Sequence, residues 1–169
     1  MQGNEQPPEP DGRRPAVFPR SEMSDFPLAR ILDFVRTVSP FDTLDPDELN
    51  RLVRRMDIAY FPPGSKVVQQ GGEPANYLYI IHSGSVKLTS TEEDGHETLV
   101  DIRGEGDTFG ALSLLHSEKG HFTVTAQEDL LAFVLPSGEF KSLVETHPGF
   151  QRHFKFSLAA HDQSIRSLT

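Results

Sequence analysis

Residues 104–126 read G-E-G-D-T-F-G-A-L-S-L-L-H-S-E-K-G-H-F-T-V-T-A. Two turn glycines, Gly104 and Gly106, lead into a tight Phe109-Gly110 corner. The next residues have the spacing of one short amphipathic helical turn. A polar loop follows, and Phe122–Ala126 closes the run as a β-branched strand. The first backbone N–H groups of a helix have no intrahelical acceptor and favour negative charge. The amides of Ala111, Leu112 and Ser113 are therefore an expected seat for a small anion.

Upstream of this run the chain changes character twice. Residues 1–24 hold five prolines and scattered charges with little to bury, and are expected to be a disordered tail. Leu28, Ile31, Leu32 and Val35 then recur at helical spacing, which predicts a helix over Pro27–Val38 ended by Ser39-Pro40. Asp45-Pro46 opens a second helix, with aspartate as cap and proline at the first position. Residues 25–56 thus form an N-terminal helical segment. From Ile58 the pattern is that of strands: Ile58–Phe61, Ser65–Gln70, Tyr77–His82, Ser85–Ser90, Thr98–Ile102, Phe122–Gln127 and Leu130–Leu135. Turn residues such as Pro62-Pro63-Gly64, Ser83-Gly84 and Asp94-Gly95 separate them. Short, evenly spaced strands over 57–136 suggest a jelly roll or barrel.

Helical spacing returns in the C-terminal part, 137–169. Ser137–Glu145 is one helix. A second runs from about Gly149 towards Leu168, with Phe150, Phe154, Leu158, His161, Ile165 and Leu168 close to a heptad seam. That seam fits either packing on the chain's own barrel or homodimerisation. The fold class expected is mainly β, a jelly roll with N-terminal helices and a C-terminal helix.

Bulk composition narrows the function classes. A chain of 169 residues is most simply one domain with trimmings. It contains no cysteine, which excludes disulfides, a thiol nucleophile and Cys-ligated zinc. A formal charge of -9 argues against direct nucleic-acid contact by this segment. No window approaches a membrane-spanning apolar length, and the first residues lack the apolar core of a signal peptide. A cytoplasmic location with no membrane contact is the expectation. The sequence has no H-x-H, G-x-S-x-G or G-x-x-x-x-G-K-[ST], so a double-stranded β-helix metal enzyme, a hydrolase elbow and a P-loop find no support. His82, His96, His116 and His121 are scattered rather than clustered. Glu92, Glu93 and Asp94 read as a solvated turn. No catalytic residues, metal ligands or obligate cofactor are expected.

From roughly Pro40 to Glu145 the chain resembles the cyclic-nucleotide-binding domains of catabolite activators and protein kinase A regulatory subunits. Phe61-Pro62-Pro63-Gly64 with Val67–Gly71 is similar to the family's opening hairpin. Tyr77–Val86 is similar to its central strand and glycine turn. Gly106-Asp107-Thr108-Phe109-Gly110 is similar to the corner before its phosphate-binding cassette. The resemblance implies a ligand such as cAMP, cGMP or another small anion, held by Phe109, Gly110, Ala111, Leu112, Ser113, Lys119, Gly120, His121 and Thr123. It also implies that Leu88 and Val100 serve as apolar walls; each equally fits an ordinary core position.

Two charged groups of the family cassette are replaced here. Laid on Phe109–Ala126 without a gap, the family glutamate that accepts from the ribose 2′-hydroxyl falls on Ala111. The arginine that pairs with the cyclic phosphate falls on Gly120. An arginine–phosphate contact contributes roughly 1.5–3 kcal/mol, so its loss weakens binding by about one to two decades. Lys119 or His121 could take over the phosphate contact after a one-residue loop shift; equally, both could be solvated loop residues. Phe122 stands where the family has a small residue, and fits filling the pocket, joining the core or pointing outward.

The function expected is a non-enzymatic sensor with weakened or altered ligand specificity. Phe122–Ala126 resembles the N-terminal sensors of bacterial proteins that continue into paired CBS domains and a nucleotidyltransferase-like domain. Such an output domain would lie outside this chain. The alternative is a ligand-free scaffold that dimerises through its last helix.

Overall fold

The strand Tyr77–Ser83, Y-L-Y-I-I-H-S, shows how the sequence builds two cores at once. Its side chains alternate between faces with period two. Leu78 and Ile80 point to one hydrophobic cluster, Tyr79 and Ile81 to another. A strand buried on both faces must lie between two layers, and this one does.

The computed structural model describes residues 14–19, 27–116 and 122–154. Its strands are β1 (Ala16–Phe18), β2 (Asp57–Phe61), β3 (Lys66–Val68), β4 (Tyr77–Ser83), β5 (Val86–Thr91), β6 (Glu97–Arg103), β7 (Thr108–Phe109), β8 (Thr123–Ala126) and β9 (Leu130–Pro136). They form two antiparallel sheets, ordered β1-β2-β9-β4-β7 and β3-β8-β5-β6. Helices α1 (Leu28–Val35), α2 (Pro46–Val53), α3 (Ala111–His116) and α4 (Ser137–Thr146) flank them. A further helix, α5, begins at residue 148 and is described to 154. The architecture is the expected jelly roll with flanking helices.

The inner core lies between the sheets. Ala59, Tyr79, Ile81, Ala132 and Val134 of the first sheet meet Val68, Val86, Leu88, Val124 and Ala126 of the second. The outer core lies between the first sheet and the helices, where Ile58, Leu78, Ile80, Phe133 and Leu135 meet Ile31, Val35, Leu52, Phe140, Phe150 and Phe154. Fully burying one such side chain stabilises by roughly 1.5–3 kcal/mol. Asp45 caps α2 as expected, its Oδ1 accepting from Glu48 N at 2.9 Å, with Pro46 in the first turn.

Three boundaries differ from the sequence reading. Ala16–Phe18, inside the segment expected to be a disordered tail, pairs antiparallel with β2. A-V-F is β-prone, and a sheet edge offers it backbone partners. α1 stops at Val35 rather than Val38; Thr37 and Val38 continue as turns whose amides reach Phe34 and Val35. Of the run Ser65–Gln70 only Lys66–Val68 forms a strand, and its register against β8 shifts within it. In the C-terminal seam, Phe150 and Phe154 are buried in the outer core of their own domain. Leu158, His161, Ile165 and Leu168 lie outside the described residues. Among the described residues, no helix is long and apolar enough to cross a membrane.

Candidate functional site

The corner at residues 104–110 is folded by its own backbone and one carboxylate. Gly104 N donates to Asp107 Oδ2 at 2.8 Å, and Asp107 N donates to Gly104 O at 2.9 Å. The turn is then fastened to β4: Ile81 N donates to Asp107 O at 2.9 Å and Gly106 N to Ile81 O at 2.8 Å. β7 extends the pairing, Tyr79 opposite Phe109 and Ile80 opposite Thr108. The Phe109 ring stacks on Tyr79 at 4.6 Å with an interplanar angle of 5°. Burial, with a smaller contribution from Tyr77, pushes the Tyr79 phenol up to about 12, so it stays neutral.

Gly110 makes the sharp exit. Its φ is +99°, a left-handed conformation that L residues rarely adopt, and a Cβ there would sit 2.9 Å from Tyr77 O. α3 starts at the next residue and straddles both cores. Leu114 enters the outer core, while Leu112 packs on the inner one. Ser113 is buried, and its Oγ accepts from Ala75 N at 2.9 Å, tying α3 to the loop before β4.

Between this corner, the second sheet and the helical layer lies a cavity of about 700 Å³. Leu88, Val68, Phe122 and Val124 supply its sheet wall. Phe109, Gly110, Ala111, Leu112 and Ser113 line the cassette side. Thr37–Ser39 after α1, and His153 and Phe154 of α5, line the helical side. Asp101, Ile102 and Asp107 are exposed and form part of the rim.

Six of the residues expected at the site therefore line one cavity: Leu88 and Phe109 to Ser113. Val100 is not among its lining residues; it packs against the inner core, beside the register shift between β5 and β6. Thr123 is not among them either, and its hydroxyl accepts from Gln70 N at 3.1 Å. Lys119, Gly120 and His121 lie outside the described residues. Of the three readings of Phe122, its 6% exposure excludes the outward one. It belongs to the inner core and to the cavity wall at once.

The sequence reading missed Arg103 and His153. Arg103 lines the cavity with its side chain only 17% exposed. Its Nε donates to Asp101 Oδ2 at 3.0 Å and its Nη1 to Thr108 O at 2.9 Å, bracing β6 against β7. A D-x-R pair at strand spacing just before a glycine corner was the available signal. His153 is held below the usual histidine range by burial, with Asp42 opposing the shift. Its contact with the cavity comes from α5 folding back on the helical layer, which no local pattern announces. His82 packs between the rings of Phe34 and Phe133, at 4.9 and 5.0 Å. Among the described residues, no group of three His, Asp or Glu side chains could hold a metal ion.

A glycine corner, a six-residue helix and a return strand enclosing a cavity inside a jelly roll agree with the family comparison. The model of the cyclic nucleotide-binding domain matches residues 58–147. The chain belongs to this family. The cyclic nucleotide-binding domain is a regulatory module and not a catalytic one. A curated relative, the CRP-like cAMP-activated global transcriptional regulator of Mycobacterium tuberculosis, is 31% identical over 108 residues, 64% of this chain. The chain spans 48% of that regulator's length. Two solved structures share the fold at lower identity. The regulatory domain of Toxoplasma gondii protein kinase A, crystallised with cAMP, has a TM-score of 0.73 at 22% identity, covering 82% of this chain and 52% of that one. The regulatory subunit of a cAMP-independent protein kinase A from Trypanosoma cruzi, bound to guanosine, has a TM-score of 0.69 at 22% identity, covering 86% and 52%.

Proposed function

We propose that this domain is a non-enzymatic sensor whose cavity takes a small ligand of the nucleotide class and whose occupancy is relayed to an output domain. The observation that carries this reading is the cavity of about 700 Å³, lined by the corner residues Phe109 to Ser113. Ala111 and Gly120 replace the charged pair of the family cassette, so cAMP and cGMP are held weakly. The related structures with cAMP and with guanosine support a fold in which ligand identity varies. Ligand shifts the domain only by its difference in affinity between two states. Phe154, at the cavity and in the outer core, is where occupancy would reach α5. By the resemblance of Phe122–Ala126, the output domain is of the CBS and nucleotidyltransferase-like type, and the working location is the cytoplasm.

The test is thermal unfolding with cAMP, cGMP and other nucleotides titrated in. A ligand at about 100 times its dissociation constant stabilises by roughly 2.7 kcal/mol. The double substitution Ala111→Glu with Gly120→Arg should raise cyclic-nucleotide affinity sharply. Unchanged binding would instead favour a shifted loop with His121 at the phosphate. No stabilisation by any nucleotide, together with a concentration-dependent dimer, would replace the sensor with a ligand-free scaffold.

A further inference from the structure

β6 brings to the cavity a cation that the cassette resemblance does not assign. Arg103 is the only arginine or lysine among the described lining residues. Its direction is set by the register of β6 on β5, which shifts between Leu88 and Thr89. Past the shift, Asp101 stands opposite Leu88 and Arg103 opposite Val86. Residues directly opposite on neighbouring strands share a face, and Val86 and Leu88 both belong to the inner core. Acid and base, two residues apart, therefore face the cavity side together. The guanidinium is anchored through Nη1, which donates to Thr108 O at 2.9 Å beside the Phe109-Gly110 corner. Its Nε donates to Asp101 Oδ2 at 3.0 Å.

The side chain of Arg103 is 17% exposed and that of Asp101 46%. A sheltered guanidinium, held in place by the Thr108 carbonyl, is a fork suited to an oxyanion. The carboxylate now on it is exchangeable. An ion pair with one partner near half exposed is weak, and the released acid returns to water. Its other oxygen, Oδ1, accepts from the adjacent Ile102 N at 2.8 Å, a contact that water replaces. Asp107, the other lining carboxylate, is part of the corner itself, its Oδ2 accepting from Gly104 N at 2.8 Å. We infer that Arg103 is the anion contact of this cavity and that Asp101 is its resident stand-in, displaced when a phosphate oxygen of the ligand takes the same edge of the guanidinium. The inference rests on the sensor reading above and names the residue that meets the charged part of its ligand. Asp101 then limits affinity twice: a cyclic nucleotide must displace it and afterwards tolerate it at the rim.

The experiment titrates cAMP and cGMP, each beside its parent nucleoside, into the 169-residue chain and its variants by calorimetry. Asp101→Asn should raise cyclic-nucleotide affinity about fivefold and leave the nucleosides within about twofold, because only a charged ligand competes with the acid. Arg103→Gln should lower cyclic-nucleotide affinity about tenfold with the nucleosides little changed, and Asp101→Asn should then add no gain. Glu105→Gln is the charge-matched control. It removes an exposed carboxylate from the same turn, outside the described lining residues, and should leave every affinity within about twofold. No gain from Asp101→Asn, an equal gain from Glu105→Gln, or a gain that survives in the Arg103→Gln background would overturn the inference. Equal losses of nucleotide and nucleoside in Arg103→Gln would make Arg103 a brace alone and overturn it too. In each of these cases the sensor stands. Asp101→Asn, a near-isosteric change at an exposed site, reads the inference even if Arg103→Gln does not fold. Failure of every compound to bind both the unmodified chain and Asp101→Asn would overturn the sensor as well.

Discussion

The two faces of the first sheet are filled with carbon at its centre, whereas the cassette corner at its β7 edge is held by polar contacts around a space. Ile58, Leu78, Ile80, Phe133 and Leu135 leave no exposed surface. Close-packed interiors like this tolerate little change in volume. At the corner the order comes from Asp107 closing its turn, Ser113 holding Ala75 and Arg103 bracing Thr108. The fold is thus stored in the sheet and the helical layer. The cassette can exchange a recognition group at Ala111 at small cost to that store, because Ala111 lines the cavity and is only partly buried.

The sharpest way to break this contrast is to damage each region in turn. Phe133 is fully buried between α1 and the sheet, its ring 5.8 Å from that of Phe34. Phe133→Ala should cost about 3–5 kcal/mol in urea denaturation, the cost of removing an aromatic side chain from a packed core. A loss below about 1 kcal/mol would mean that the sheet is not where stability resides. Gly110→Ala should cost less, about 2 kcal/mol from the forced left-handed backbone, plus relief of the contact with Tyr77 O. Ligand affinity should fall in the same variant, because the corner sets the direction of α3. Gly95→Ala is the control: its φ is also positive, but nothing lies within 4 Å of the added Cβ and it is remote from the cavity. If both variants leave ligand affinity equal, the corner is not part of the site.

The same contrast explains what could be read from residues alone. The sheets were legible because alternation and turn glycines are local signals: Tyr77–Ser83 announces a strand, and Ser83-Gly84 its end. The corner was legible for a similar reason, since Gly106 to Gly110 is contiguous and its conformation is demanded locally. β7 escaped because two residues carry no periodicity; Thr108-Phe109 becomes a strand only by pairing with Tyr79 and Ile80. The cavity's far wall was beyond reach. Thr37, Ser39 and His153 line the same cavity as Leu88 only through the packing of α1 and α5, so their place is set by tertiary structure rather than by spacing. Of the two readings of Val100, the wall that the family resemblance implied and an ordinary core position, the structure shows the second: it packs against the inner core beside the register shift between β5 and β6.

The smallest effect tests the two regions by pH. His82 belongs to the sheet and helical layer, His153 to the cavity, and both are held below the ordinary value of 6.5. Burial is the main cause in each case; Glu105 opposes it at His82 and Asp42 at His153. A histidine whose folded value is lowered binds its proton more readily in the unfolded chain. Stability is therefore full above pH 6.5 and is lost as pH falls through the folded values. Urea midpoints measured from pH 7.5 down to about 5 should decline, and His153→Gln should remove part of that slope while leaving the midpoint near pH 7.5 little changed. His82→Gln should also lower the midpoint at pH 7.5, because it takes a ring away from Phe34 and Phe133. A slope untouched by either substitution would show that neither imidazole is desolvated by its surroundings. A slope removed wholly by His82→Gln would confine the effect to the packed sheet and leave the cavity wall wet around His153.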